Sequence, residues 1–142
     1  MKKFAILDLF TLWGKEKQKI HAVKIQNFYV NQREIWFTKM GQNIGFEENG
    51  KSSFLRPVLV LKKVGNLFFT VALTSKGKSN NLFYHEIVEG KFNSKNLKYK
   101  NSSFAILSQV KVMDKKRFTE KMGIVSQEEL ENIQKKLKEL LL

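Results

Sequence analysis

Cysteine is absent from this chain of 142 residues. That excludes disulfides, thiolate metal sites and cysteine nucleophiles, and it fits a reducing compartment. Histidine is scarce: His21 and His85 are far apart in sequence and stand in segments of different character, so both read as surface or packing residues. Proline occurs once, as Pro57, and no Pro-rich, Gly/Ser-rich or low-complexity tract separates two parts of the chain. Acidic residues are the minority charge, 13 against 26 Lys and Arg. No apolar run reaches the length of a membrane span, and Met1 to Trp13 lacks the length and the small-residue cleavage site of a secretory signal. We therefore expect a cytoplasmic protein with no membrane partner. There is also no P-loop, no dinucleotide-binding glycine pattern, no paired-histidine metal motif and no nucleophile elbow. Most enzyme classes drop out, and neither a cofactor nor a metal is expected.

What is present is apolar mass and positive charge. Hydrophobic residues make up 42% of the chain, with 12 Phe. A chain of this length buries roughly two-thirds of the surface its unfolded form exposes, so a single folded unit is expected. The net charge of +13 calls for a polyanionic partner, which composition alone leaves open between nucleic acid, an anionic membrane and an acidic protein.

From Phe4 to about Phe28 the apolar positions follow no strand alternation and lysines are interspersed, which predicts a helical segment interrupted at Gly14. It reads as a helix packed on the flank of the fold, with a membrane-surface helix as the sharper alternative. Short β-type runs then follow at Arg33 to Phe37, Leu55 to Lys63, Leu67 to Leu73, Leu82 to Val88 and Ser103 to Met113. Val64, Gly65 and Asn66 predict a hairpin turn, and Gly41 to Ser53 a glycine-containing loop. The end predicts a helix. Ser126 is its N-cap, Glu129 completes a capping box, Val125 and Leu130 form a staple, and Leu130, Ile133, Leu137 and Leu140 make its apolar stripe.

Several polar residues stand at strand ends: Glu47, Arg56, Thr74, Ser75, and Gln109 with Lys111. They suit phosphodiester chemistry, since arginine offers a permanently charged fork to phosphate oxygens and hydroxyls can donate to a developing oxyanion. Taken one by one, they also fit ordinary turn and surface roles.

Their order, however, resembles a known family. Arg56-Pro57-Val58-Leu59-Val60 is similar to the arginine-proline strand of MazF/PemK toxins, and Leu73-Thr74-Ser75-Lys76 to their threonine-containing turn. Arg33-Glu34-Ile35-Trp36 resembles the family's first strand, and Gly45-Phe46-Glu47 with Gly50 its glycine-glutamate-glycine loop. Leu107 through Arg117 resembles the glutamine-x-arginine strand and the aspartate and basic turn after it. Two positions depart from the pattern. Ala72 stands where the family often has proline, and Lys111 where it has arginine, which keeps the charge but loses the bidentate fork.

The resemblance implies a β-rich α+β fold, an SH3-like antiparallel β-barrel with a C-terminal helix. Residues 31–142 would form the toxin domain and residues 1–30 a helical extension. It implies a homodimer that cleaves single-stranded RNA without a metal, by attack of the ribose 2′-hydroxyl, and that is restrained by an acidic antitoxin. Arg56, Thr74 and Glu47 would be catalytic. Ser75, Lys76, Lys78, Gln109 and Lys111 would bind RNA, with Lys62 and Lys63 as further phosphate contacts. The alternative is a non-catalytic protein of the same fold that binds nucleic acid or poisons gyrase.

Overall fold

The computed structural model describes residues 3–23, 27–45, 49–50, 54–88, 90–92 and 103–142. Helix α1 (Lys3–Ala22) precedes β1 (Glu34–Lys39), β2 (Leu55–Val64), β3 (Leu67–Thr74), β4 (Tyr84–Glu86), β5 (Gly90–Phe92) and β6 (Phe104–Asp114). A 3-10 turn (Lys115–Arg117), β7 (Phe118–Val125) and α2 (Gln127–Leu141) complete the chain. Among the described residues the strands form one antiparallel sheet of seven in the order β4-β6-β3-β2-β1-β7-β5.

The order explains the curvature. Laid flat, seven strands would span about 29 Å from first to last. The two edge strands β4 and β5 are consecutive in the chain, and the four residue steps from Glu86 to Gly90 reach at most about 14 Å. The sheet must therefore curl and bring its edge strands β4 and β5 near each other. The ladder itself stays open, so the fold is barrel-like.

Both faces of the sheet are covered, which is why β2 reads as a nearly unbroken apolar run and not as an alternation. Leu59, Leu61, Val71, Leu73, Ala105 and Leu107 meet Leu130, Ile133 and Leu137 of α2, so the helix stripe finds the sheet as its partner. Val58, Val60 and Ala72 point the other way, into a cluster with Trp36, Phe68, Met113 and Phe118. Phe118 packs against Trp36 at 6.0 Å and Phe68 at 5.3 Å between ring centroids.

The hairpin turn and the Ser126 cap of α2 hold. Gly65 takes φ +62 in the two-residue turn between β2 and β3, and the Ser126 hydroxyl accepts the Glu129 N–H (3.0 Å). Other expectations are corrected. Helix α1 runs through Gly14 without a break, because a single exposed glycine lowers helix propensity without removing a hydrogen bond. The helix ends at Ala22, and Phe28 leaves it to stack on Trp36 at 4.9 Å. Strand β4 is shorter than Leu82 to Val88, since the Asn81 side chain accepts the Phe83 N–H and holds that residue in a turn.

Strands β5 and β7 are absent from the sequence expectation. β5 has three residues. β7 pairs with β1 through two register shifts, which space its buried Phe118, Met122 and Val125 irregularly and hide the period of two.

At the start of β1, Arg33 adopts φ +77 and its Nε donates to the Val125 carbonyl (3.0 Å), tying β1 to the end of β7. The next residue, Glu34, is buried. It accepts from the Asn31 N–H (2.7 Å) and the Trp36 indole N–H (3.1 Å), and it pairs with Lys121 at 2.7 Å. Burial alone would raise its carboxyl pKa, but Lys121 and these two donors together hold it below the ordinary value. A carboxyl lowered in the folded state contributes stability that is complete above the unfolded value, near about 4.3, and is lost as pH falls through the folded one. Glu34→Gln is therefore expected to destabilise the protein by about 1–3 kcal/mol at pH 7. The gap to the parent should shrink as unfolding is followed downward below about pH 4. An equal gap at both ends of the titration would contradict this reading.

Candidate active site

Three neighbouring strands deliver one polar row. Thr38 of β1 is in register with Arg56 of β2. The β2–β3 register, Val58 against Ala72, sets Arg56 across from Thr74 when carried two residues further. Thr74 is in turn paired with Phe104 of β6. Thr38, Arg56 and Thr74 thus lie side by side on the face of Val58 and Ala72, at the edge of its apolar cluster.

Arg56 is 7% exposed. A buried guanidinium is tolerated only where its donors are met. Here Nε donates to the Asn49 carbonyl (2.6 Å) and Nη1 to the Leu73 carbonyl (3.1 Å), beside Thr74. Its backbone is held too, because the fully buried Thr38 hydroxyl donates to the Arg56 carbonyl (3.1 Å).

Thr74 opens a tight turn in which its hydroxyl accepts the Lys76 N–H (3.1 Å). A hydroxyl that accepts one bond can still donate its proton to another group. Gly77 lets this turn settle onto Phe104, since a Cβ there would overlap the phenyl ring. Lys76 and Lys78 are exposed on the turn and Ser75 is half-buried.

The sequence-predicted residues are not all gathered here. Arg56, Thr74, Ser75, Lys76 and Lys78 belong to one end of the β2–β3 pair. Glu47 lies outside the described residues. Lys111 is paired with Thr70, whose hydroxyl donates to the Lys111 carbonyl (2.7 Å), and this puts it four residues, or about 13 Å, along β3 from Thr74. Gln109 is half-buried on the irregular stretch of β6 between the Val110 and Ala105 pairings. Lys62 and Lys63 are exposed at the far end of β2, about 20 Å from Arg56, so they do not flank this row.

Two residues, Thr38 and Asn49, escaped sequence reasoning. Thr38 could have been suspected as a polar residue in an apolar strand, and Asn49-Gly50 as a turn. The use of the Asn49 backbone carbonyl leaves no mark on residue type. Among the described residues no three His, Cys, Asp or Glu side chains gather as metal ligands, and no helix is long and apolar enough to cross a membrane.

Residues 31–141 match the family described as PemK-like, MazF-like toxin of type II toxin-antitoxin system. The chain belongs to this PemK/MazF toxin family. Solved structures share its fold. MazF from Deinococcus radiodurans (Form-I) is 19% identical, with 81% of this chain and 98% of that chain covered and a TM-score of 0.60. An endoribonuclease from a mycobacterial species is 10% identical over 82% and 95%, with a TM-score of 0.53. A MazE-MazF crystal structure from D. radiodurans (Form-II) is 19% identical over 80% and 97%, with a TM-score of 0.50. No curated protein matches the chain in sequence. The family match starts at residue 31, so α1 precedes the PemK/MazF segment.

A second polar cluster in this PemK/MazF fold has a different role. His85 is buried with its Nε2 against Glu129 Oε1, and Glu129 Oε2 accepts the Val88 N–H (3.3 Å). Lys136 Nζ lies 2.8 Å from His85 Nδ1. An ammonium only donates, so Nδ1 accepts and Nε2 carries the proton shared with Glu129. The cluster ties edge strand β4 to α2, consistent with a packing role for His85. Glu129→Ala strips partners from His85 and the Val88 N–H at once. It is expected to cost about 1–3 kcal/mol in chemical unfolding, and unchanged stability would remove this anchor from the account.

Proposed function

We propose that the protein is the toxin of a type II toxin-antitoxin pair and a metal-independent endoribonuclease acting on single-stranded RNA in the cytoplasm. The observation that carries this reading is the buried Arg56 guanidinium, fixed on the Leu73 carbonyl next to Thr74. The family and the +13 charge agree with it.

In this reading the ribose 2′-oxygen attacks the adjacent phosphorus. The 2′-O–P bond forms and the P–5′-O bond breaks, giving a 2′,3′-cyclic phosphate and a 5′-hydroxyl. DNA, which lacks the nucleophile, is spared. Arg56 stabilises the charge that builds on the phosphoryl oxygens, and its fixed geometry requires no reorganisation when that charge appears. A guanidinium holds its proton firmly and is a poor proton donor at neutral pH, so its role is electrostatic. Thr74 donates to the scissile phosphate. Glu47 accepts the 2′-hydroxyl proton, and water returns a proton to the leaving 5′-oxygen.

Ser75, Lys76 and Lys78 extend the site along the turn, and Gln109 and Lys111 contact RNA further along the groove. A homodimer places two such sites around one groove. An acidic antitoxin competes for it, because a surface suited to polyphosphate also attracts a chain of Asp and Glu.

Arg56→Ala and Thr74→Ala are each expected to lower the cleavage rate by about a hundredfold or more, the usual effect of removing one oxyanion donor. Circular dichroism should show the fold retained. Folded variants that cleave RNA at the parental rate would refute the assignment.

A further inference from the structure

The geometry points to Trp13, in the segment that precedes the family match, as a positioning residue that holds Arg56 through the loop between β1 and β2. This rests on the proposed role of Arg56. Trp13 is 5% exposed although it belongs to a helix whose neighbouring positions are largely solvent-facing. Its indole packs on Phe54, tilted by 44° with 5.2 Å between ring centroids, and the Arg117 guanidinium lies over the indole at 5.8 Å from its centroid. It also fills the space above Gly41, where φ is +84 and a Cβ would overlap the indole. Two further ties fix the heading of α1: Glu16 with Lys39 at 3.4 Å, and Lys116 Nζ donating to the His21 carbonyl (2.8 Å).

The residues under the indole are the ones that place Arg56. Phe54 adopts φ +63, a conformation that a non-glycine residue keeps only when its surroundings enforce it. Its carbonyl accepts the N–H groups of Met40 (2.9 Å) and Gly41 (3.2 Å). Gly41 in turn accepts the Gly50 N–H (2.7 Å), and Gly50 lies so close to Phe54 that a Cβ would overlap the Phe54 carbonyl. Next to Gly50 is Asn49, whose carbonyl receives Arg56 Nε at 2.6 Å. Each step is a close contact or a hydrogen bond, so a gap beneath α1 shifts the acceptor that orients the guanidinium. Arg117 and Lys39 close the other side, where Arg117 Nη1 donates to the Lys39 carbonyl (3.0 Å). Gly41, Gly50 and Phe54 are thus held by α1 as well as by the sheet.

The test uses full-length Trp13→Ala and Trp13→Phe. It follows hydrogen exchange of the Arg56 Nε–H by NMR, exchange of the Val58 and Leu59 amides in β2, and steady-state cleavage of a single-stranded RNA oligonucleotide. Trp13→Ala is expected to accelerate Arg56 Nε–H exchange while the β2 amides keep their protection, and to lower kcat by roughly ten- to a hundredfold with KM little changed, the usual consequence of a misplaced catalytic group. Trp13→Phe, which keeps an aromatic ring on Phe54, is expected to recover most of both effects. The proposal is overturned by Arg56 exchange that stays at the parental rate in folded Trp13→Ala. It is equally overturned by loss of protection across β2, which would make Trp13 a general core residue. The exchange measurement reads positioning even if the parent cleaves no RNA, so failure of the ribonuclease reading and failure of this one are told apart.

Discussion

A permanently charged guanidinium held almost out of solvent is the constraint around which this fold is arranged. Arg56 stands where the apolar face of β2 ends, and an unmet charge there would cost several kcal/mol. Two of its bonds reach in different directions, to the Asn49 carbonyl in the preceding loop and to the Leu73 carbonyl on the neighbouring strand. Both acceptors are backbone, so the loop path and the β2–β3 register must be right before the charge is satisfied. The same bonds that make burial tolerable also fix the direction of the charge, which is what stabilisation of a phosphoryl transition state requires.

The rest of the structure supports that row. The buried Thr38 hydroxyl holds the Arg56 carbonyl from β1, and Gly77 lowers the Thr74 turn onto Phe104. Away from the site, Glu34 with Lys121 and His85 with Glu129 join distant segments by satisfied buried polar groups. These clusters resemble catalytic ones in composition, and their geometry separates them. His85 is enclosed between a sheet edge and a helix, whereas Thr74 opens a turn that carries exposed lysines.

How much of this could be read in the sequence depended on whether the deciding interaction was local. The Ser126 cap, the Gly65-Asn66 turn and the Leu130-Ile133-Leu137 stripe are set by neighbours a few residues away, and each was legible. Strand β7 was not, because its pairing with β1 shifts register twice and its inward residues lose their alternation. The end of α1 was missed because Phe28 packs on Trp36, a contact eight residues away that local pattern does not mark. At the site, Arg56 and Thr74 were visible through the arginine-proline strand and the threonine turn. The separation of Lys62, Lys63 and Lys111 from that pair follows from strand direction and register. Asn49 acts through its carbonyl, which every residue type has, so no pattern of side chains could mark it.

In the proposed reading the Arg56–Thr74 row serves phosphodiester cleavage by the substrate's own 2′-hydroxyl. Mapping RNA ends after incubating single-stranded RNA with the purified protein in excess EDTA tests it most directly. New 5′-hydroxyl ends paired with 2′,3′-cyclic phosphates are expected. Intact RNA, or 5′-phosphate ends that form only when a divalent ion is restored, would contradict it.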